Sequence, residues 1–111
     1  MNLNTLIKAR RSEFLDLCRT HHVDKMYAFG SSITDHFDSE KSDIDIVVKI
    51  NIEDAADRGE VLISLWDNLE AFFQRKVDLL TEASIRNPYL KASINKTKKI
   101  IYDREGEKVF V

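Results

Sequence analysis

The stretch MYAFGSSITDHFDSEKSDIDIVVKI, residues 26–50, decides how the rest of the chain is read. It opens on an apolar run, Met26 to Phe29, that stops at Gly30-Ser31-Ser32, and after a polar excursion Asp43-Ile44-Asp45 leads into Ile46-Val47-Val48. Successive side chains of a strand point to opposite faces, so Asp43, Asp45 and Val47 share one face while Ile44, Ile46, Val48 and Ile50 share the other. The β-branched row calls for burial against helices. The opposite row holds two carboxylates roughly 6.5–7 Å apart at the Cα atoms, given the rise of a strand. Like charges that close are kept ionised by a compensating cation, which makes Asp43 and Asp45 candidate metal ligands.

Bulk properties narrow the field. With 111 residues, 43% hydrophobic and 32% charged, the chain reads as one globular domain, residues 1–111, with a modest core. A formal net charge of −2 offers no broad attraction to nucleic acid. Cys18 is the sole cysteine, so no internal disulfide forms, and its place beside Leu15 and Leu17 reads as a buried thiol. No apolar run reaches the roughly 18 residues of a membrane span, and the N-terminus lacks a signal-peptide core, so a cytoplasmic location is expected.

Outward from the central stretch, the pattern predicts a first helix from Asn4 or Thr5 to about Thr20, with Arg10 and Arg11 on a solvated face and His21-His22 closing it in a structural role. Val23 to Phe29 reads as a strand with Val23, Lys25, Tyr27 and Phe29 on one face and Met26 and Ala28 on the other. Gly30 permits a sharp turn, Ser31 and Ser32 offer hydroxyl and N–H groups beside it, and residues 33–37 read as a short helix before a charged loop, 38–42. Asn51 is the expected cap of a long helix, with Asp54 in the capping-box place. Along it Val61, Leu62, Leu65, Trp66, Leu69, Phe72 and Phe73 recur at helical spacing and are assigned to the core. Lys76 to Leu80 is a third strand, and Asp78 within it is costly among apolar neighbours without a partner. A helix broken near Asn87-Pro88, a strand from Lys99 to Tyr102 and a closing strand from Val109 complete the chain, and the lysines 91, 96, 98 and 99 are read as a solvated face.

A sheet that sets the Asp78 strand beside the Asp45 strand brings three carboxylates to one face. Oxygen ligands of that density suit Mg²⁺ or Mn²⁺, and Mg²⁺ completes its shell with substrate phosphates, so a nucleoside triphosphate is the implied substrate. Asp43, Asp45 and Asp78 are then both metal-binding and catalytic residues. Two ions held there would clamp the attacking and leaving oxygens of an in-line displacement, with Asp78 best placed to take the proton of an attacking hydroxyl.

The pattern Gly30-Ser31-x11-Asp43-x-Asp45, followed by Asp78, resembles the nucleotidyltransferases of the DNA polymerase β superfamily, and more narrowly the minimal nucleotidyltransferases encoded beside helical HEPN partners. The resemblance spans about Val23 to Tyr102. It implies an α+β fold, a small mixed or antiparallel sheet with helices packed on one side. It further implies that Gly30 and Ser31 contact the triphosphate and that Asp43, Asp45 and Asp78 bind the metals. The expected activity is transfer of a nucleoside monophosphate, AMP from ATP, to a hydroxyl, with a tyrosine of a HEPN-type toxin as the acceptor and an antitoxin role for this chain. The alternative is a non-catalytic subunit that binds nucleotide or regulates a partner by contact alone. A template-directed polymerase is disfavoured by size and by the lack of a basic groove. Two departures stand out: many relatives carry an arginine just after Gly-Ser, where this chain has Ser32-Ile33-Thr34-Asp35-His36, and its spacer is eleven residues rather than the commoner ten.

Overall fold

A computed structural model describes residues 3–30 and 43–105, and the backbone of 108–109. The elements run α1 (Leu3–Ala9), α2 (Arg11–Thr20), β1 (Val23–Phe29), β2 (Ile44–Ile50), α3 (Ala55–Phe73), β3 (Val77–Thr81), a 3-10 turn (Glu82–Ser84), α4 (Pro88–Thr97), β4 (Lys99–Asp103) and β5 (Lys108–Val109). The fold is α+β, with a mixed sheet ordered β3-β2-β1-β4-β5. β1 lies antiparallel to β2 and β4, and β2 lies parallel to β3. That parallel step needs a crossover, which α3 supplies.

The β-branched row behaves as its chemistry demands. Ile44, Ile46 and Val48 are buried, and their neighbours Ala28, Met26, Val77 and Leu79 are buried with them. From the helices, Leu3, Ile7, Phe14, Cys18, Leu65, Leu69, Phe72 and Phe73 close over this face. Each large side chain so buried contributes about 1.5–3 kcal/mol, which is what turns the sheet and three helices into one core. Burial also raises the pKa of the Cys18 thiol, in keeping with a packing role.

Several local expectations are corrected. The N-terminal helix is two helices broken at Arg10, whose backbone leaves the helical region. Arg10 is no passive surface charge: its guanidinium donates to the Phe72 carbonyl at 2.9 Å, lies 4.5 Å above the Phe72 ring and pairs with Glu13. A cation at the C-terminal end of α3 also complements the helix dipole. In β1 the register shifts between Val23 and Lys25, so Val23 joins Met26 and Ala28 in the core instead of siding with Tyr27 and Phe29. The cap of α3 is Asp54, whose carboxylate accepts from Asp57 N–H at 2.9 Å, while Asn51 sits before the helix and donates its N–H to His22 O at 2.8 Å. Asn87 caps α4 by accepting from Tyr89 and Leu90 N–H, with Pro88 at the first helical position.

The structural reading of the histidines holds for His21. Its ring is buried, with Nδ1 donating to Leu17 O at 2.7 Å and Nε2 meeting Ser64 Oγ at 3.0 Å. His22 takes a left-handed backbone, φ 54°, which ends α2 and turns the chain into β1. The short helix expected at 33–37 and the loop at 38–42 lie outside the described residues.

Candidate active site

β1 ends where β2 and β3 begin, and the three strands bring their polar positions to the same edge. Asp45 is flanked on one side by Phe29 and on the other by Asp78. The next row along the same face is Tyr27, Val47 and Leu80. Because Met26, Ala28, Ile44, Ile46, Val48, Val77 and Leu79 face the core, the row Phe29-Asp45-Asp78 faces away from it.

Gly30 follows directly on Phe29, with φ +64°, and it is packed against Asp45. A Cβ at this position would lie 2.8 Å from Asp45 Oδ2. Two independent constraints, a left-handed backbone and the absence of space, therefore both ask for glycine. The close approach packs the Asp45 carboxylate against the end of β1.

Electrostatics follow from this packing. The Asp45 carboxyl is pushed up to about 6, first by its own burial, then by the Asp78 charge and a side-chain hydrogen bond with Asp78, and finally by the Asp43 charge. A carboxyl hydrogen-bonded to a second acid holds its proton to higher pH than a free one. Asp43 precedes β2 and is exposed, so it acts on Asp45 through charge rather than through contact. Among the described residues, no three acidic, histidine or cysteine side chains are drawn together as a ready-made metal cage. The structure thus joins Asp45, Asp78 and Gly30 closely and leaves Asp43 at the margin; Ser31 lies outside the described residues.

The donor set fits a divalent cation. It consists of hard carboxylate oxygens, and burial together with the neighbouring Asp78 and Asp43 charges disfavours the ionised form of Asp45. Such an arrangement can bind a cation together with phosphate oxygens and can accept a proton at Asp78.

Two residues that hold the start of β3 are not legible as such in the sequence. Helical spacing places Trp66 in the core, yet it is 37% exposed and its Nε1 donates to Val77 O at 2.6 Å. Glu70 accepts from Val77 N–H at 3.0 Å. Val77 begins β3 immediately before Asp78, and among the described residues β3 is the edge strand of the sheet. α3 thus grips both polar groups of that residue's backbone. The signal that could have revealed it is the i, i+4 spacing of Trp66 and Glu70 on the helix leading directly into the strand.

Comparison with known proteins agrees with this geometry. The family described as polymerase beta, nucleotidyltransferase, matches residues 13–107. The chain belongs to the polymerase β nucleotidyltransferase family. It is a nucleotidyltransferase by that membership. A relative from Methanocaldococcus jannaschii, described as a protein adenylyltransferase, is 36% identical over 91 residues, covering 75% of this chain and 89% of its own. Among solved structures, one described as a minimal nucleotidyltransferase is 26% identical with a TM-score of 0.60, covering 89% of this nucleotidyltransferase and 95% of that chain. Another, from Shewanella oneidensis, is a tri-AMPylated HEPN toxin in complex with its minimal nucleotidyltransferase antitoxin. It matches at 22% identity and a TM-score of 0.52, covering 89% of this chain and 74% of that one, and at that identity it speaks for the fold alone. The resemblance to minimal nucleotidyltransferases is borne out. Among the described residues, no helix is long and apolar enough to cross a membrane.

Proposed function

We propose that this nucleotidyltransferase moves AMP from ATP onto a hydroxyl of a protein partner, with a tyrosine of a small helical HEPN-type toxin as acceptor, and so acts as an antitoxin. The observation that carries the reading is the Asp45 carboxylate wedged between Gly30 and Asp78 with its pKa raised to about 6. A carboxylate destabilised in this way gains most from a bound cation, and a nucleoside triphosphate brings one with it. AMP as the group transferred is supported by the adenylyltransferase relative.

In this reading Asp43, Asp45 and Asp78 hold Mg²⁺ or Mn²⁺, and Gly30 with Ser31 receives the triphosphate. The cation supplies neutralisation of charge on the phosphoryl oxygens. Gly30 leaves room for phosphate oxygens to approach the backbone. Asp78 accepts the proton of the acceptor hydroxyl as its oxygen attacks the α-phosphorus. The bond to the bridging α–β oxygen breaks and pyrophosphate leaves, in a displacement that asks mainly for positioning and charge stabilisation.

The test is transfer from ATP labelled at the α-phosphate, with Mg²⁺, to the purified helical partner. Label should appear on a partner tyrosine, pyrophosphate should be released in equal amount, and Asp45→Asn should abolish both. Label that follows the γ-phosphate would exclude nucleotidyl transfer. Absence of transfer, with the partner still bound and neutralised, would favour a contact-only subunit.

A further inference from the structure

The geometry points to Lys98 as the protein's cation for the β- and γ-phosphates of the nucleotide, an inference that rests on the nucleotide-binding reading above. The electrostatic need is plain from the sequence. Between Gly30 and Asp43 there is no arginine, and the single lysine, Lys41, is outnumbered by Asp35, Asp38 and Glu40. Asp43, Asp45 and Asp78 add three further negative charges, and a triphosphate adds its own. A protein cation that supplements the metal at the leaving end of the nucleotide has therefore to come from elsewhere in the fold.

Sheet topology delivers one. β4 runs antiparallel to β1, with Lys99 beside Ala28, so the start of β4 lies at the same end of the sheet as Phe29 and Gly30. Lys98 immediately precedes β4 as the C-cap of α4, its N–H donating to Ile94 O at 2.7 Å. Its side chain turns back over the carboxylate-bearing face. The ammonium lies 4.3 Å from the centroid of the Tyr27 ring, and Tyr27 pairs with Val47, one row behind Phe29 and Asp45. One row is roughly 6.5–7 Å along a strand, a distance that a phosphate chain anchored at Asp45 spans.

Lys98 is also held rather than loose. Its side chain is 22% exposed, stacked on Tyr27 and paired with Glu82 at 4.0 Å. It lines a cavity of about 120 Å³ with Val47, Ile85 and Ile94. Ordering a lysine costs rotamer entropy, and here much of that cost falls on folding, before any ligand arrives. The Glu82 contact stands at the outer limit of an ion pair, so a phosphate can take the ammonium from it. Lys76, which shares the Asp78 face by strand alternation, is exposed and precedes the strand, and is the natural competitor for the role.

The experiment is equilibrium binding of ATP and of AMP, each with Mg²⁺, to wild type, Lys98→Ala, Lys98→Arg and Lys76→Ala, with thermal unfolding of each ligand-free protein. AMP lacks the two phosphates in question. Lys98→Ala should reduce the preference for ATP over AMP by about tenfold or more, with AMP affinity little changed, and Lys98→Arg should retain most of the preference. An unchanged preference in Lys98→Ala, or its collapse in Lys76→Ala instead, overturns the assignment while leaving the nucleotide site intact. Failure of the wild type to bind ATP overturns the assignment and the parent reading together. Should Lys98→Ala melt before binding can be read, Lys98→Gln, which keeps the aliphatic stem, gives the same comparison.

Discussion

Gly30 and Asp45 are in contact across the end of β1, so closely that a methyl group on Gly30 would stand 2.8 Å from Asp45 Oδ2. Gly30→Ala therefore has two separable effects. The backbone cost of a non-glycine residue at φ +64° is about 1–2 kcal/mol, visible as a drop of several degrees in Tm. The clash is with the tip of a side chain, which can rotate away cheaply for the fold but not for the site. Nucleotide binding and transfer should therefore fall much further than stability, by a hundredfold or more on the order of a misplaced reacting group. Equal losses in both measurements would mean that Gly30 serves only the turn.

The Asp45–Asp78 pair makes the ligand-free protein pH-sensitive in a definite direction. Asp45 has its folded pKa raised to about 6 from an ordinary value of 3.8, so the folded state holds its proton more tightly than the unfolded chain does. Relative to a neutral Asn, wild type loses stability as pH rises from about 4 to about 6, and the deficit stays constant above that. With the group partly open to solvent, the deficit is about 1 kcal/mol. Thermal unfolding from pH 4 to 8 should show Asp45→Asn melting above wild type at neutral pH and converging with it near pH 4. Adding Mg²⁺ and ATP should reverse the order at neutral pH, because only wild type gains the ligand's stabilisation. A variant that melts lower than wild type without ligand would contradict the unfavourable electrostatics assigned to this pair.

How far the sequence reveals this protein depends on whether a residue's role is periodic or particular. The β2 strand and its buried row follow from alternation, and the structure meets the condition that sets Asp78 beside Asp45, whereas the parallel sense of that pairing is not written in the alternation. The bulge that returns Val23 to the core is invisible to alternation, since one extra residue inverts the face without changing composition. Arg10 misleads for a similar reason: its partner, the Phe72 carbonyl, is 62 residues away. The cap of α3 lies three residues beyond Asn51, at Asp54: both are good caps, and choosing between them requires the path of the chain out of β2. Accordingly Asp54→Ala should cost about 1 kcal/mol, the usual value of a cap, whereas Asn51→Ala should cost within about 0.5 kcal/mol, as for a surface position. Denaturant melts of the two variants separate these assignments, and the reverse order would restore Asn51 as the cap.

The grip of α3 on Val77 gives the most local test of how the fold serves the site. Trp66 Nε1 donates to Val77 O at 2.6 Å and Glu70 Oε2 accepts from Val77 N–H at 3.0 Å, so the residue before Asp78 is fixed at both polar groups. An edge strand without such partners frays at its end, and fraying here moves the Asp78 carboxylate. Trp66→Phe keeps the aromatic bulk and removes only the donor, which should cost about 1 kcal/mol of stability. Glu70→Gln keeps an acceptor oxygen for Val77 N–H and should be milder than Glu70→Ala. If the contacts position Asp78, Trp66→Phe and Glu70→Ala should lower the transfer rate while leaving ATP affinity within a few-fold, and amide exchange at residues 77–78 should quicken. Rates that stay at the wild-type value with faster exchange would show that the strand end can loosen without disturbing the chemistry, and would leave α3 a purely structural role.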